Sequence, residues 1–151
     1  MPTSASQSPE FENRTRASFG RQEVMRTIGA MLTRVAAGEV EITLPFRNNL
    51  TQQHGFMHAG IVSTIADSAC GYAAYTLMPA DAAVLTIEYK VNLVAPAVGE
   101  RLIARARVTK AGRTVTVCAC DVFALRDGQE KMVATMLNTL MTVRDRPELN
   151  G

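Results

Sequence analysis

The 151-residue sequence has no tryptophan, three tyrosines, five phenylalanines, two histidines and three cysteines. With so few rings, its core has to be built from Val, Leu, Ile, Ala and eight Met, and platforms for stacking nucleobases are scarce. Lys plus Arg number 16 against 14 Asp plus Glu, with no basic block of the kind that tracks phosphates, so nucleic acid is not an expected partner. A closed zinc site takes four ligands. Cys118 and Cys120 point to one face of a strand, but only two histidines could join them. Three cysteines, Cys70 among them, sit in apolar runs and read as reduced, packed thiols. They fit that state better than a secreted disulfide framework, and a reducing cytoplasm is the expected compartment. The opening residues MPTSASQSPEFENRTRASFG lack the apolar run of an export signal. The only long apolar stretch, Ala59 to Met78, carries Ser63, Thr64, Asp67, Ser68, Tyr72 and Tyr75, too many polar groups for a lipid-exposed span. It reads as a core helix, and no membrane is expected as a partner.

What is present is a globular balance, 47% hydrophobic and 20% charged, on a chain long enough for one core and too short for two. Residues 1–20 read as a flexible polar arm, residues 21–146 as one domain and 147–151 as a tail. Val24, Met25, Ile28 and Leu32 recur at helical spacing. Leu32 to Val35 and Val40 to Leu44 flank Ala36-Ala37-Gly38 as a hairpin ending at Pro45. A loop rich in amides and imidazoles, Phe46 to Met57, precedes the apolar helix. Downstream, four segments alternate as strands: Val84 to Leu93, Arg101 to Lys110, Thr114 to Arg126, and Lys131 to Arg144 after the hairpin dipeptide Asp127-Gly128. Strands this long beside a single apolar helix predict an α+β fold whose antiparallel sheet curls around that helix.

Asp67 is the one strong acid or base between Ala59 and Met78. Its helical neighbours Ser63, Thr64, Cys70 and Gly71, with Gly60 a turn further on, are all small. Two readings follow. The carboxylate accepts hydrogen bonds from Ser63 or Thr64 and satisfies the core, or the small neighbours leave room for a substrate beside it. Gln52, His54, Gly55 and His58 lead directly into the helix start, whose first amides have no intrahelical partner and favour an anion. Helix start, side-chain amide and inward carboxylate together supply oxyanion donors, a water-orienting group and a base for acyl transfer. His58 equally suits helix capping, and His54 reads as loop.

The run Gln52-x-x-Gly55-x-x-His58-Ala59-Gly60, followed by Asp67, resembles the His-Gly-Gly signature of hotdog-fold thioesterases of the PaaI type. Thr86-Ile-Glu88, closing at Pro96, is similar to a second strand motif of that family, and the resemblance spans about residues 30–144. It implies that Asp67 is the nucleophile or general base, that Gln52 orients water or the carbonyl, that the amide of Ala59 is the oxyanion donor where the family usually has Gly, and that the Thr86 hydroxyl lies near Asp67. Strand alternation places Thr86 opposite Leu85 and Ile87, so on that alternation it reaches a site only across a subunit boundary.

The resemblance also implies a homodimer or homotetramer with sites between subunits, an acyl-CoA substrate, and no cofactor, coenzyme A being part of the substrate. Lys90, Arg101, Arg105, Arg107 and Arg113 are candidates for the CoA phosphates. Phe56, Met57, Tyr72, Tyr75 and Met78 are candidates for the acyl pocket. Two other functions stay open: a hotdog hydratase or dehydratase, for which no His/Asp pair is evident, and a non-catalytic acyl-CoA sensor.

Overall fold

The computed structural model describes residues 9–149 and Gly151. Two short helices, α1 (Pro9–Arg21) and α2 (Glu23–Ile28), precede a hairpin of β1 (Met31–Ala36) and β2 (Glu39–Pro45). After a single 3-10 turn at Asn48–Leu50 comes the long helix α3 (Ala59–Tyr75). Then follow β3 (Ala83–Leu93), β4 (Arg101–Lys110), β5 (Val115–Arg126) and β6 (Gln129–Val143). All six strands form one antiparallel sheet in the order β1-β2-β4-β5-β6-β3, leaving β1 and β3 as its edges. The expected α+β architecture is present, with α3 laid across the inner face of the sheet.

Residue size explains how closely helix and sheet approach. Ala66, Ala69, Cys70 and Ala73 of α3 are fully buried, as are Ile42, Leu44, Ala104, Cys118, Cys120 and Val122 of the strands. Small side chains on the helix let the larger aliphatics of the sheet fill the space between them. All three cysteines are free and buried there, as their apolar setting predicts. Asp127 (φ 50°) and Gly128 (φ 75°) make the two-residue turn from β5 to β6, a pair of positive angles that suits the strand twist. The helix expected to run through Leu32 is shorter. Gly29 (φ 84°) takes the left-handed conformation as the C-cap of α2, and Leu32 belongs to β1.

The N-terminal segment differs from the polar arm expected over residues 1–20. Residues 1–8 lie outside the described residues, but Pro9–Arg21 is helical and docked. Arg14 Nη2 donates to the carbonyls of Tyr75 (3.2 Å) and Met78 (3.0 Å) at the C-terminal end of α3. Its guanidinium also lies 4.7 Å from the centre of the Tyr75 ring. Thr15 is fully buried and donates to the Phe11 carbonyl, and Phe19 meets Tyr72 edge-on. The segment carries no clean apolar period because the docked residues include Arg14, Thr15 and Ser18 as well as Phe19.

Strand β3 departs from simple alternation. Its register against β6 shifts between Thr86 and Glu88, so Ile87 is an extra residue, a β-bulge. An extra residue reverses the parity of everything beyond it. Thr86, paired with Leu140, therefore shares the inner face with Tyr89, Val91 and Leu93, which pair with Asn138, Met136 and Ala134.

Candidate active site

The bulge carries Thr86 to the helix of its own chain. Its hydroxyl donates to Asp67 Oδ1 at 2.7 Å, so no second subunit is needed for that contact, contrary to the alternation read from the sequence. Asn138 Nδ2, from the inner face of β6, donates to the same oxygen at 2.8 Å. Neither Ser63 nor Thr64 satisfies the carboxylate; the Thr64 hydroxyl instead donates to the Gly60 carbonyl. With two donors on Oδ1, Asp67 Oδ2 has no partner among the described residues and is available for chemistry. The carboxylate opens into a cavity of about 320 Å³ bordered by Ser18 and Gln22 from the N-terminal helices, Ser68 and Tyr72 from α3, and Leu85 from β3. Ser68 donates to Gln22 Oε1 and Ser18 to the Tyr72 hydroxyl, fastening the N-terminal segment over the cavity.

The start of α3 forms a second centre. His58 is its N-cap, and the imidazole Nδ1 accepts the Gly60 N–H at 2.8 Å. The capping reading of His58 is thus the one its geometry takes, and the Gly60 N–H is consumed by it. A Cβ at residue 60 would stand 3.0 Å from that nitrogen, so glycine there admits the imidazole. The Ala59 N–H has no acceptor among the described residues. Gln52 Oε1 accepts the His54 N–H at 2.5 Å, which leaves the Gln52 amide nitrogen free to donate. Gln52, His58 and Ala59 line a cavity of about 490 Å³ with Phe56, Val62 and Leu93. The expected loop therefore presents two outward donors, Ala59 N–H and Gln52 Nε2.

Within one chain these two centres line different cavities. Eight residues of helix separate Ala59 from Asp67, about 12 Å along the axis, too far for both to touch one thioester carbonyl. The sequence motifs point to Asp67, Thr86, Gln52, His58, Ala59 and Gly60, and the fold brings together Asp67 with Thr86 and, apart from them, the other four. Asn138 was missed. It lies in Met136-Leu137-Asn138-Thr139-Leu140, where apolar residues on both sides hide which face is inward.

Several candidate contacts fall elsewhere. Arg105 is committed to Glu130 through a two-pronged pair (2.6 and 2.7 Å) and to Glu41 at 3.0 Å, which raises its guanidinium affinity for the proton still further. Arg107 faces Asp121, and Lys90 donates to Asn92. Phe56 and Met57 border the Gln52 cavity and Tyr72 the Asp67 cavity, whereas Tyr75 is buried under Arg14 of α1 and Met78, also buried, borders a separate cavity with Pro79 and Arg113. No cluster of His, Cys, Asp and Glu suited to a metal occurs among the described residues, and no described helix is long and apolar enough to cross a membrane.

Known proteins share this fold. The model of the thioesterase superfamily matches residues 54–131, from the loop before α3 to the start of β6. A candidate esterase of Halobacterium salinarum is 33% identical over 105 residues, 66% of this chain and 69% of its own. The crystal structure of a thioesterase family protein from Silicibacter pomeroyi is 54% identical and superposes with a TM-score of 0.88, covering 89% of this chain and 98% of that one. The PaaI protein from the phenylacetic acid degradation operon of E. coli, 19% identical, shares the fold with a TM-score of 0.82 over 91% of this chain and 96% of its own. A helix wrapped by a six-stranded antiparallel sheet, the matched family model and these relatives lead to one assignment: the chain belongs to the thioesterase superfamily and has the hotdog fold.

Proposed function

We propose that the protein hydrolyses an acyl-CoA thioester to a free carboxylic acid and CoA, at sites completed by a second copy of the chain. The observation that carries this reading is the division of the machinery: a tethered carboxylate in one cavity, and free Ala59 N–H and Gln52 amide donors in the other. Strand β3 is an open sheet edge, with Leu85, Ile87, Tyr89 and Leu93 about half exposed. Such an edge invites pairing with another strand. Antiparallel pairing of β3 with its two-fold copy would bring the Asp67 cavity of one protomer toward the helix start of the other.

In the completed site Asp67 Oδ2 removes a proton from water as the water oxygen bonds to the thioester carbon. The carbonyl oxygen takes the negative charge and is held by the Ala59 N–H, with the dipole of α3 behind it. Gln52 Nε2 orients the water or the carbonyl. The carbon–sulfur bond then breaks, and the departing thiolate takes the proton from Asp67, restoring the carboxylate. If Asp67 instead attacks directly, Oδ2 bonds to the thioester carbon, the carbon–sulfur bond breaks and the thiolate leaves; water then opens the resulting anhydride at the aspartyl carbon, releasing the acid, and its proton passes to the thiolate.

The test is thiol release from acetyl-, hexanoyl-, decanoyl- and phenylacetyl-CoA by the purified protein and by Asp67→Asn. Turnover that falls at least 100-fold in the variant supports the proposal. Saturable binding without turnover identifies a sensor instead, and an Asp67→Asn protein with the wild-type rate refutes the role of the carboxylate. Single turnover in ¹⁸O-water separates the two routes, since direct attack leaves label in Asp67.

A further inference from the structure

Asn138 is fully buried, yet only half of its amide is satisfied. Nδ2 donates to Asp67 Oδ1 at 2.8 Å and lies 3.7 Å from the sulfur of Met136. The amide oxygen is buried with no donor among the described residues. A buried acceptor without a donor destabilises a fold, and a leucine of nearly the same size would remove that penalty. Neighbouring inward positions of β6, Met136 and Leu140, are apolar and buried. The amide has one strong interaction at this position, and it is directed at the carboxylate.

Its orientation follows from charge. Turning the amide over would set its oxygen against Asp67 Oδ1, two acceptors face to face. Asn138 therefore presents its N–H and draws Oδ1 toward the sheet, while Thr86 holds the same oxygen from β3. Two donors from two different strands fix the rotation of the carboxylate, and the uncommitted oxygen is Oδ2.

We propose that Asn138 is a positioning residue that selects Oδ2 of Asp67 as the reacting oxygen, an inference that rests on the catalytic reading of Asp67 given above. It acts through Asp67 and touches no substrate. Asn138→Leu is expected to keep or raise the melting temperature while lowering kcat for hexanoyl- or phenylacetyl-CoA roughly 10- to 100-fold, with KM changed by less than about threefold. In an Asp67→Asn background the same substitution is expected to cost no further activity. An equal additional loss there, or a wild-type kcat in Asn138→Leu, overturns the inference while leaving the role of Asp67 standing. A fully active Asp67→Asn protein overturns both.

A measurement independent of turnover and of the leucine variant uses the ¹⁵N-labelled wild-type protein. One proton of the Asn138 side-chain amide is expected to resonate downfield and exchange slowly, and to return to the ordinary position in Asp67→Ala. An ordinary, rapidly exchanging pair in the wild type refutes the contact itself.

Discussion

Replacing Arg14 with methionine keeps much of the apolar stem and removes the charged fork that ties α1 to the end of α3. Two hydrogen bonds from Nη2 and the stacking on Tyr75 are lost. Hydrogen bonds involving a charged group contribute about 1.5–3 kcal/mol each, and cation–π contact about 0.5–2 kcal/mol. These gains are offset because Arg14 Nε is itself buried without an acceptor among the described residues, a penalty of about 1–3 kcal/mol that the substitution relieves. At the centre of these ranges the net destabilisation is about 4 kcal/mol, which for a chain of this size lowers the melting temperature by about 8–16 °C. Arg14→Lys should fall between the two proteins, since an ammonium retains charge but not the planar fork. Differential scanning calorimetry on the three proteins measures this directly. A melting temperature within 1 °C of wild type for Arg14→Met would show that the docking of α1 adds nothing to stability, and would restore the reading of this segment as part of a flexible polar arm.

Thr86→Val, which keeps the shape and removes the donor, should lower kcat about tenfold, whereas Thr86→Ser should retain most of it; equal kcat for the two variants would deny the hydroxyl a role. The thiol of Cys118 is pushed up to about 12, chiefly by burial, and that of Cys70 is raised further by its hydrogen bond to Cys120 and by burial. Both should stay protonated at pH 9, so a thiol reagent should find none of the three cysteines in the native protein and all of them after denaturation; rapid native labelling would contradict the packed cluster. Tyr89→Pro on the open edge of β3 should weaken self-association and thioester hydrolysis together, because proline withdraws a strand N–H; sedimentation velocity showing an unchanged oligomer would exclude pairing through that edge.

The helix at Ala59, the β1–β2 hairpin and the Asp127-Gly128 turn were legible because each rests on local chemistry: an apolar run, alternation beside a glycine, a dipeptide suited to positive φ. The bulge at Ile87 was not. It is defined by pairing with β6, and no turn residue marks it in Thr86-Ile87-Glu88. Docking of α1 was hidden for a different reason, since it uses an arginine, a threonine and a serine where a pattern search looks for leucine. At the site, Asp67 stood out as a lone acid in an apolar helix, and the loop donors stood out by their nearness to its start. Asn138 did not, because burial turns an ordinary polar residue into a significant one and burial depends on the whole sheet.

The bulge also divides β3 into two stretches read in opposite phase. Ahead of Ile87 the inward residue is Thr86, in the Asp67 cavity; behind it the inward residues end at Leu93, in the Gln52 cavity. What residue 87 contributes is therefore length more than chemistry. A different side chain there leaves both stretches in phase, but removing the residue makes one of them turn over, exchanging either Thr86 for a neighbour at the carboxylate or Leu93 for a neighbour at the other cavity. Tolerance to substitution and intolerance to deletion should thus coincide at this one position.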